Sequence, residues 1–89
     1  KMAEISDAFI ALPGGWGTLD ELAEIISWKQ LKLINQPVGI LNTNSFFDLL
    51  IAQMQKMVSE GFLSQKHFSE IIIADTPRNL LPALGVNLL

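Results

Sequence analysis

Apolar residues fall in two spacings along this chain, and the alternation between them predicts its elements. Residues 7–12 (DAFIAL) form a short, nearly continuous apolar run, which suits a strand buried on both faces. In residues 18–31, Leu19, Leu22, Ile25 and Ile26 recur at three- and four-residue spacing, which predicts a helix. Asn35, Gln36 and Pro37 punctuate, and VGIL at 38–41 reads as a second strand. A second helix is predicted over 46–60. Phe46, Leu50, Met54 and Met57 make its stripe, widened by Phe47, Ile51 and Val58. Ser45 is its expected cap, and Gly61 its expected left-handed end. Residues 64–68 read as one helical turn and IIIA at 71–74 as a third strand. Thr76 then caps a last helix with Pro77 at its first position, and Pro82 interrupts or bends it.

The order β-α-β-α-β-α implies right-handed crossovers and a parallel sheet covered on both faces. Three strands make a thin sheet of this kind, so we expect it to continue upstream or in a partner. Composition points the same way. The 89 residues are 49% hydrophobic and only 17% charged, against about 25% charged in an average soluble domain. The shortfall predicts an apolar face that meets further chain, a second subunit, or both.

Charge and residue usage exclude several classes. The net charge is -3, and the six basic residues are dispersed, so no nucleic-acid footprint is present. Cysteine is absent, which removes disulfide and thiolate chemistry. No apolar run approaches the roughly 18 residues of a membrane span, and no signal peptide is visible. We therefore expect a cytoplasmic protein with no membrane partner. His67 is the chain's one histidine and is expected as a surface or helix-end residue, so no metal site is expected. Trp28, Met54 and Met57 are expected in the core or a subunit interface, and Asp75 as a cap or solvated residue.

The densest chemistry lies in LPGGWGTLDE, residues 12–21. It follows the first strand at its carboxyl end, where open parallel sheets bind ligands. Gly14, Gly15 and Gly17 let a backbone turn tightly and approach a ligand closely. The N–H groups and dipole of a helix start favour an anion such as phosphate, and Thr18 adds a hydroxyl. The general phosphate motifs fit poorly: no lysine stands where a P-loop needs one, and Asp20 occupies the third glycine position of the dinucleotide fingerprint. Glycines also serve plain strand-to-helix turns. Thr18 and Glu21 read equally as a capping box, T-x-x-E, with Asp20 and Glu21 in the first turn beside the helix dipole. On spacing alone both readings stay open.

The stretch SDAFIALPGGWGTLDELAEIISWKQL, with QPVGILN and EGFL after it, resembles the LONELY GUY (LOG) family of cytokinin riboside 5'-monophosphate phosphoribohydrolases, long labelled lysine decarboxylases. Pro13, Gly14, Gly15, Gly17, Thr18 and Glu21 match every fixed position of its P-G-G-x-G-T-x-x-E motif, and Trp16 fills the variable place. The resemblance covers nearly the whole chain. It implies a Rossmann-like three-layer α/β/α fold, a homodimer, and no cofactor. It also implies hydrolysis of the N-glycosidic bond of an adenosine 5'-monophosphate, often N6-substituted, to free base and ribose 5-phosphate. Gly14, Gly15, Gly17 and Thr18 would cradle the 5'-phosphate, and Glu21 would be the catalytic acid facing the ribose. The family's R-K-x-x-M pattern places Met2 at its M and Lys1 just before it, so its arginine would lie upstream. By resemblance the chain is the C-terminal half of one Rossmann-like domain, and we expect it not to turn over alone. A pyridoxal-dependent decarboxylase would need a Schiff-base lysine in a dedicated fold, whereas Lys29 and Lys32 read as solvated helix-end residues. The alternative is a non-catalytic nucleotide- or molybdenum-cofactor-binding protein of similar fold.

Overall fold

Alternation along the strands divides the core into two layers. A computed structural model of the chain describes residues 2–5 and 8–85. Strand β2 (Ala8–Ala11) sends Phe9 and Ala11 to one face of a sheet and Ala8 and Ile10 to the other. Strand β3 (Val38–Leu41) repeats the pattern, with Val38 and Ile40 on the first face and Leu41 on the second. Such double burial is what a continuous apolar run encodes.

Strands β2, β3 and β4 (Ile71–Ala74) are parallel, with Phe9 opposite Val38 and Val38 opposite Ile71. Helix α1 (Trp16–Gln30) links β2 to β3, and helices α2 (Asp48–Ser59) and α3 (Gln65–Ser69) link β3 to β4. Leu22, Ile25, Met54 and Phe68 bring these three helices onto the first face. Helix α4 (Pro77–Ala83) covers the second, where Leu80 and Leu84 pack on Ala8 and Ile10. The result is the expected Rossmann-like α/β/α arrangement. A fourth strand, β1 (Met2–Ile5), pairs antiparallel with β2 and was not anticipated; the sheet order is β1-β2-β3-β4. Lys1 and Asp7 lie outside the described residues.

Helix ends carry most of the corrections. Thr76 caps α4 as expected: its Oγ1 accepts the Asn79 N–H at 3.2 Å, and Pro77 opens the helix. Ser64 does the same for α3, accepting from the His67 N–H at 3.0 Å. Gly61 has φ +85° and closes α2, with the Phe62 N–H donating to the Met57 carbonyl at 2.8 Å. Ser45, however, does not cap α2. It sits in a 3₁₀ turn (Thr43–Ser45) with φ 58°, and the helix begins only at Asp48. Phe46 is consequently outside the helix and 53% exposed, while Phe47 is buried. Trp28, expected in a core or interface, lies exposed on this chain, whereas Met54 is buried.

Candidate functional site

Helix α1 starts earlier than its apolar stripe predicts, and that shift rewrites the site. Its N-cap is Gly15, and no side chain caps it. Trp16, Gly17 and Thr18 are its first three residues. The N–H groups of a first turn have no acceptor within the helix, so they face out at the carboxyl end of β2. Thr18 is thus not an N-cap, and Thr18 with Glu21 is not a capping box. Asp20 and Glu21 fall beyond the first turn, which contains no acid. The purely structural explanation of Glu21 as a cap is removed by this placement.

Gly15 occupies the N-cap of α1, a position that glycine suits, and packing does not account for Gly15 or Gly17. Gly15 has φ -109°, outside the left-handed region. A Cβ built on Gly15 or Gly17 would meet nothing within 4 Å. Neither position demands glycine for packing or for a left-handed backbone. Gly17 moreover sits inside a helix, where it costs about 0.5–1 kcal/mol relative to alanine.

Thr18 is 2% exposed, and its Oγ1 is buried without a hydrogen-bond partner among the described residues. Buried hydroxyls nearly always have one. Glu21 lies three residues on, so it occupies the neighbouring side of the helix, one turn above Thr18. Its residue is exposed. The structure therefore gathers Gly14, Gly15, Gly17, Thr18 and Glu21 at one end of one strand.

The parallel sheet brings two further segments to that end. The Asn42 N–H donates to the Ala74 carbonyl at 2.7 Å, joining the exits of β3 and β4. Asp75 follows β4, and its Oδ1 accepts from Asn79 Nδ2 at 3.4 Å, consistent with a helix-start role. An open groove of about 310 Å³ flanks the glycine turn, lined by Gly14, Gly15, Trp16, Leu19, Phe46, Phe47 and Leu50. Leu19 and Glu21 are two residues apart, about 200° around the helix, so this groove and Glu21 lie on different sides of α1. Spacing does not mark Trp16 or Phe46 as a groove residue: Trp16 precedes the stripe of α1, and Phe46 reads as part of the buried stripe of α2, which begins only at Asp48. Among the described residues no group of three His, Asp or Glu side chains could hold a metal ion. No helix among them is long and apolar enough to cross a membrane.

The chain is a Rossmann-like α/β/α protein with an uncapped, glycine-rich helix start at a strand's carboxyl end, the end at which open parallel sheets bind ligands. Residues 1–84 match the family model described as "Possible lysine decarboxylase". Over 81 residues the chain is 51% identical to the probable cytokinin riboside 5'-monophosphate phosphoribohydrolase LOGL5 of Oryza sativa subsp. japonica, covering 91% of this chain and 33% of that protein. It is 48% identical over 84 residues to the cytokinin riboside 5'-monophosphate phosphoribohydrolase LOG4 of Arabidopsis thaliana, covering 94% and 39%. The chain belongs to this possible lysine decarboxylase family, within its LOG group. It spans between a third and two fifths of the length of these relatives.

Proposed function

We propose that the whole protein carrying this chain hydrolyses the N-glycosidic bond of an adenosine 5'-monophosphate, N6-substituted or not, to the free base and ribose 5-phosphate. The single observation that carries the reading is the helix start: exposed glycines with open space where a Cβ would be, beside a buried threonine hydroxyl that lacks a partner.

In this reading the 5'-phosphate lies against the N–H groups of Gly14, Gly15 and Gly17 and the positive end of α1. A change of Thr18 rotamer in this reading turns its hydroxyl toward the phosphate. The hydroxyl then finds in a phosphate oxygen the acceptor it lacks. Glu21, one turn along, faces the ribose. As the C1'–N9 bond breaks, its carboxylate stabilises positive charge at C1' and orients the water that adds there. The water oxygen joins C1', and its proton leaves for the departing base.

The reading includes a homodimer. Helices α1 and α2 leave an apolar groove of about 350 Å³ between them, with Leu22, Ile26, Met54 and Met57 in its walls. That groove supplies the unsatisfied apolar face which the low charge content leads one to expect.

The test uses the whole protein with adenosine monophosphate and its N6-isopentenyl analogue, following free base by chromatography. Base released by the parent and lost in Glu21→Gln, with nucleotide binding retained, supports the reading. Binding without base from either protein rejects hydrolysis in favour of a carrier or sensor.

A further inference from the structure

The opposite end of the sheet holds a second, basic groove. It is open, about 250 Å³, and lies where chain enters β3 and β4. Lys29, Lys32 and Lys66 line it, with Asn35, His67 and Glu70. Three of the chain's six basic residues therefore meet here, in a chain of net charge -3. None of the three lysines has a carboxylate within ion-pair distance among the described residues, where the ion pair found is Lys56 with Glu60 at 3.7 Å.

The groove is also held in shape. The Lys29 ammonium donates to the backbone carbonyls of Gln36 at 3.2 Å and Asn35 at 3.4 Å, tying the end of α1 to the approach to β3. Lys32 has φ 62°, and the Leu33 N–H donates to the Trp28 carbonyl at 2.8 Å. That bond fixes the backbone from which Lys32 projects. An ammonium group has three donors, so Lys29 keeps one beyond its two carbonyls. The groove continues inward to a small cleft that reaches Val38 and Ile71.

We propose that this groove binds a small phosphate-bearing anion, at a site separate from the glycine turn. Lys29 supplies a positioned charge, and Lys32 and Lys66 close over the anion from the two sides. Glu70 sets a limit: its carboxylate lies in the same wall and opposes a second or more highly charged anion. The inference does not depend on chemistry at Glu21. The glycine turn follows β2 at its carboxyl end, whereas this groove sits at the amino ends of β3 and β4.

The test is a titration of the whole, isotope-labelled protein with inorganic phosphate and, separately, ribose 5-phosphate. Ionic strength is held constant with sodium chloride, and backbone amide signals are read by NMR. The expected result is saturable shifts at residues 32–36 and 66–70, with a binding curve distinct from any at residues 14–18. Lys66→Gln and Lys32→Gln each weaken that binding by about fivefold, the scale of an exposed charge contact. Glu70→Gln tightens it, a sign that loss of folding cannot mimic. Shifts confined to residues 14–18, or linear shifts that chloride reproduces, overturn the proposal while leaving the glycine-turn reading intact.

Discussion

The Asn42 Oδ1 accepts the Phe47 N–H at 2.6 Å, across a turn that separates β3 from α2. The same side chain donates through Nδ2 to the Asp48 Oδ1 at 2.7 Å. One residue at a strand exit thus ties down the entry to α2, which Ser45 was expected to cap. It can do so because Asn44 and Ser45 both have positive φ, 54° and 58°, which folds the turn back on itself. Asparagine tolerates that conformation, while serine does so at a cost. Asn42→Ala is expected to destabilise the whole protein by about 1–2 kcal/mol, the scale of a lost helix cap. Ser45→Gly is expected to stabilise it by about 0.5–1 kcal/mol. Thermal unfolding followed by circular dichroism reads both. An unchanged melting temperature in Asn42→Ala means that the side-chain bridge carries no net energy.

The two long helices end in the same hydrogen-bond pattern with different residues at the left-handed position. In α2 it is Gly61, in α1 it is Lys32. In each, the residue after donates back to the carbonyl five earlier: Phe62 to Met57 and Leu33 to Trp28, both at 2.8 Å. Lysine bears a Cβ penalty there that glycine does not. Lys32→Gly is therefore expected to raise stability by about 0.5–1 kcal/mol, and Gly61→Ala to lower it by about 1 kcal/mol. Denaturant midpoints compare the two directly. Equal and opposite shifts fit a common motif, and a fall in both means that Lys32 stabilises through something other than its backbone.

These ends mark where sequence reading stops. Thr76 is legible as a cap because its hydroxyl bonds an N–H three residues away, a spacing visible in one dimension. The three parallel strands are legible because each is an unbroken apolar run, DAFIAL, VGIL and IIIA, whereas β1 (MAEI) carries no such run. Asn42 reaches across five residues of irregular turn, and no periodicity predicts that. The start of α1 is misread for a related reason. Its predicted stripe begins at Leu19, and an exposed first turn of Trp16 and Gly17 has no apolar periodicity to announce it. The placement of Thr18 and Glu21 on the helix was therefore not legible.

Gly39 faces the second layer, where a Cβ would lie 3.0 Å from the Cδ1 atoms of both Leu80 and Leu84. Its absence lets α4 sit directly on β3. Both leucines are buried, so neither tip moves freely into solvent. Gly39→Val is expected to cost about 1–3 kcal/mol through overpacking. In Gly39→Ala combined with Leu84→Ala, the cost is expected to be less than the sum of the single changes, because each relieves the other. Urea unfolding of the four proteins gives the coupling. Simple additivity would show that α4 accommodates the methyl by shifting as a body.

Gly17 separates the two readings of the glycine turn most sharply, because they predict opposite signs for one substitution. It occupies the second position of α1, and the space where its Cβ would stand is empty. If the turn serves only to join β2 to α1, Gly17→Ala improves helix propensity and harms nothing. Unliganded stability then rises by about 0.5–1 kcal/mol with nucleotide affinity unchanged. If the empty space belongs to a phosphate, the added methyl stands between the anion and the backbone N–H groups that bind it. Stability still rises, but affinity for adenosine monophosphate falls by on the order of tenfold, about 1.4 kcal/mol. Melting in the absence of ligand and calorimetric titration in its presence read the two effects separately. The expected outcome is the trade-off: a more stable protein that binds less well. A more stable protein with undiminished affinity would reject the phosphate cradle at this position and leave Glu21 without a substrate to face.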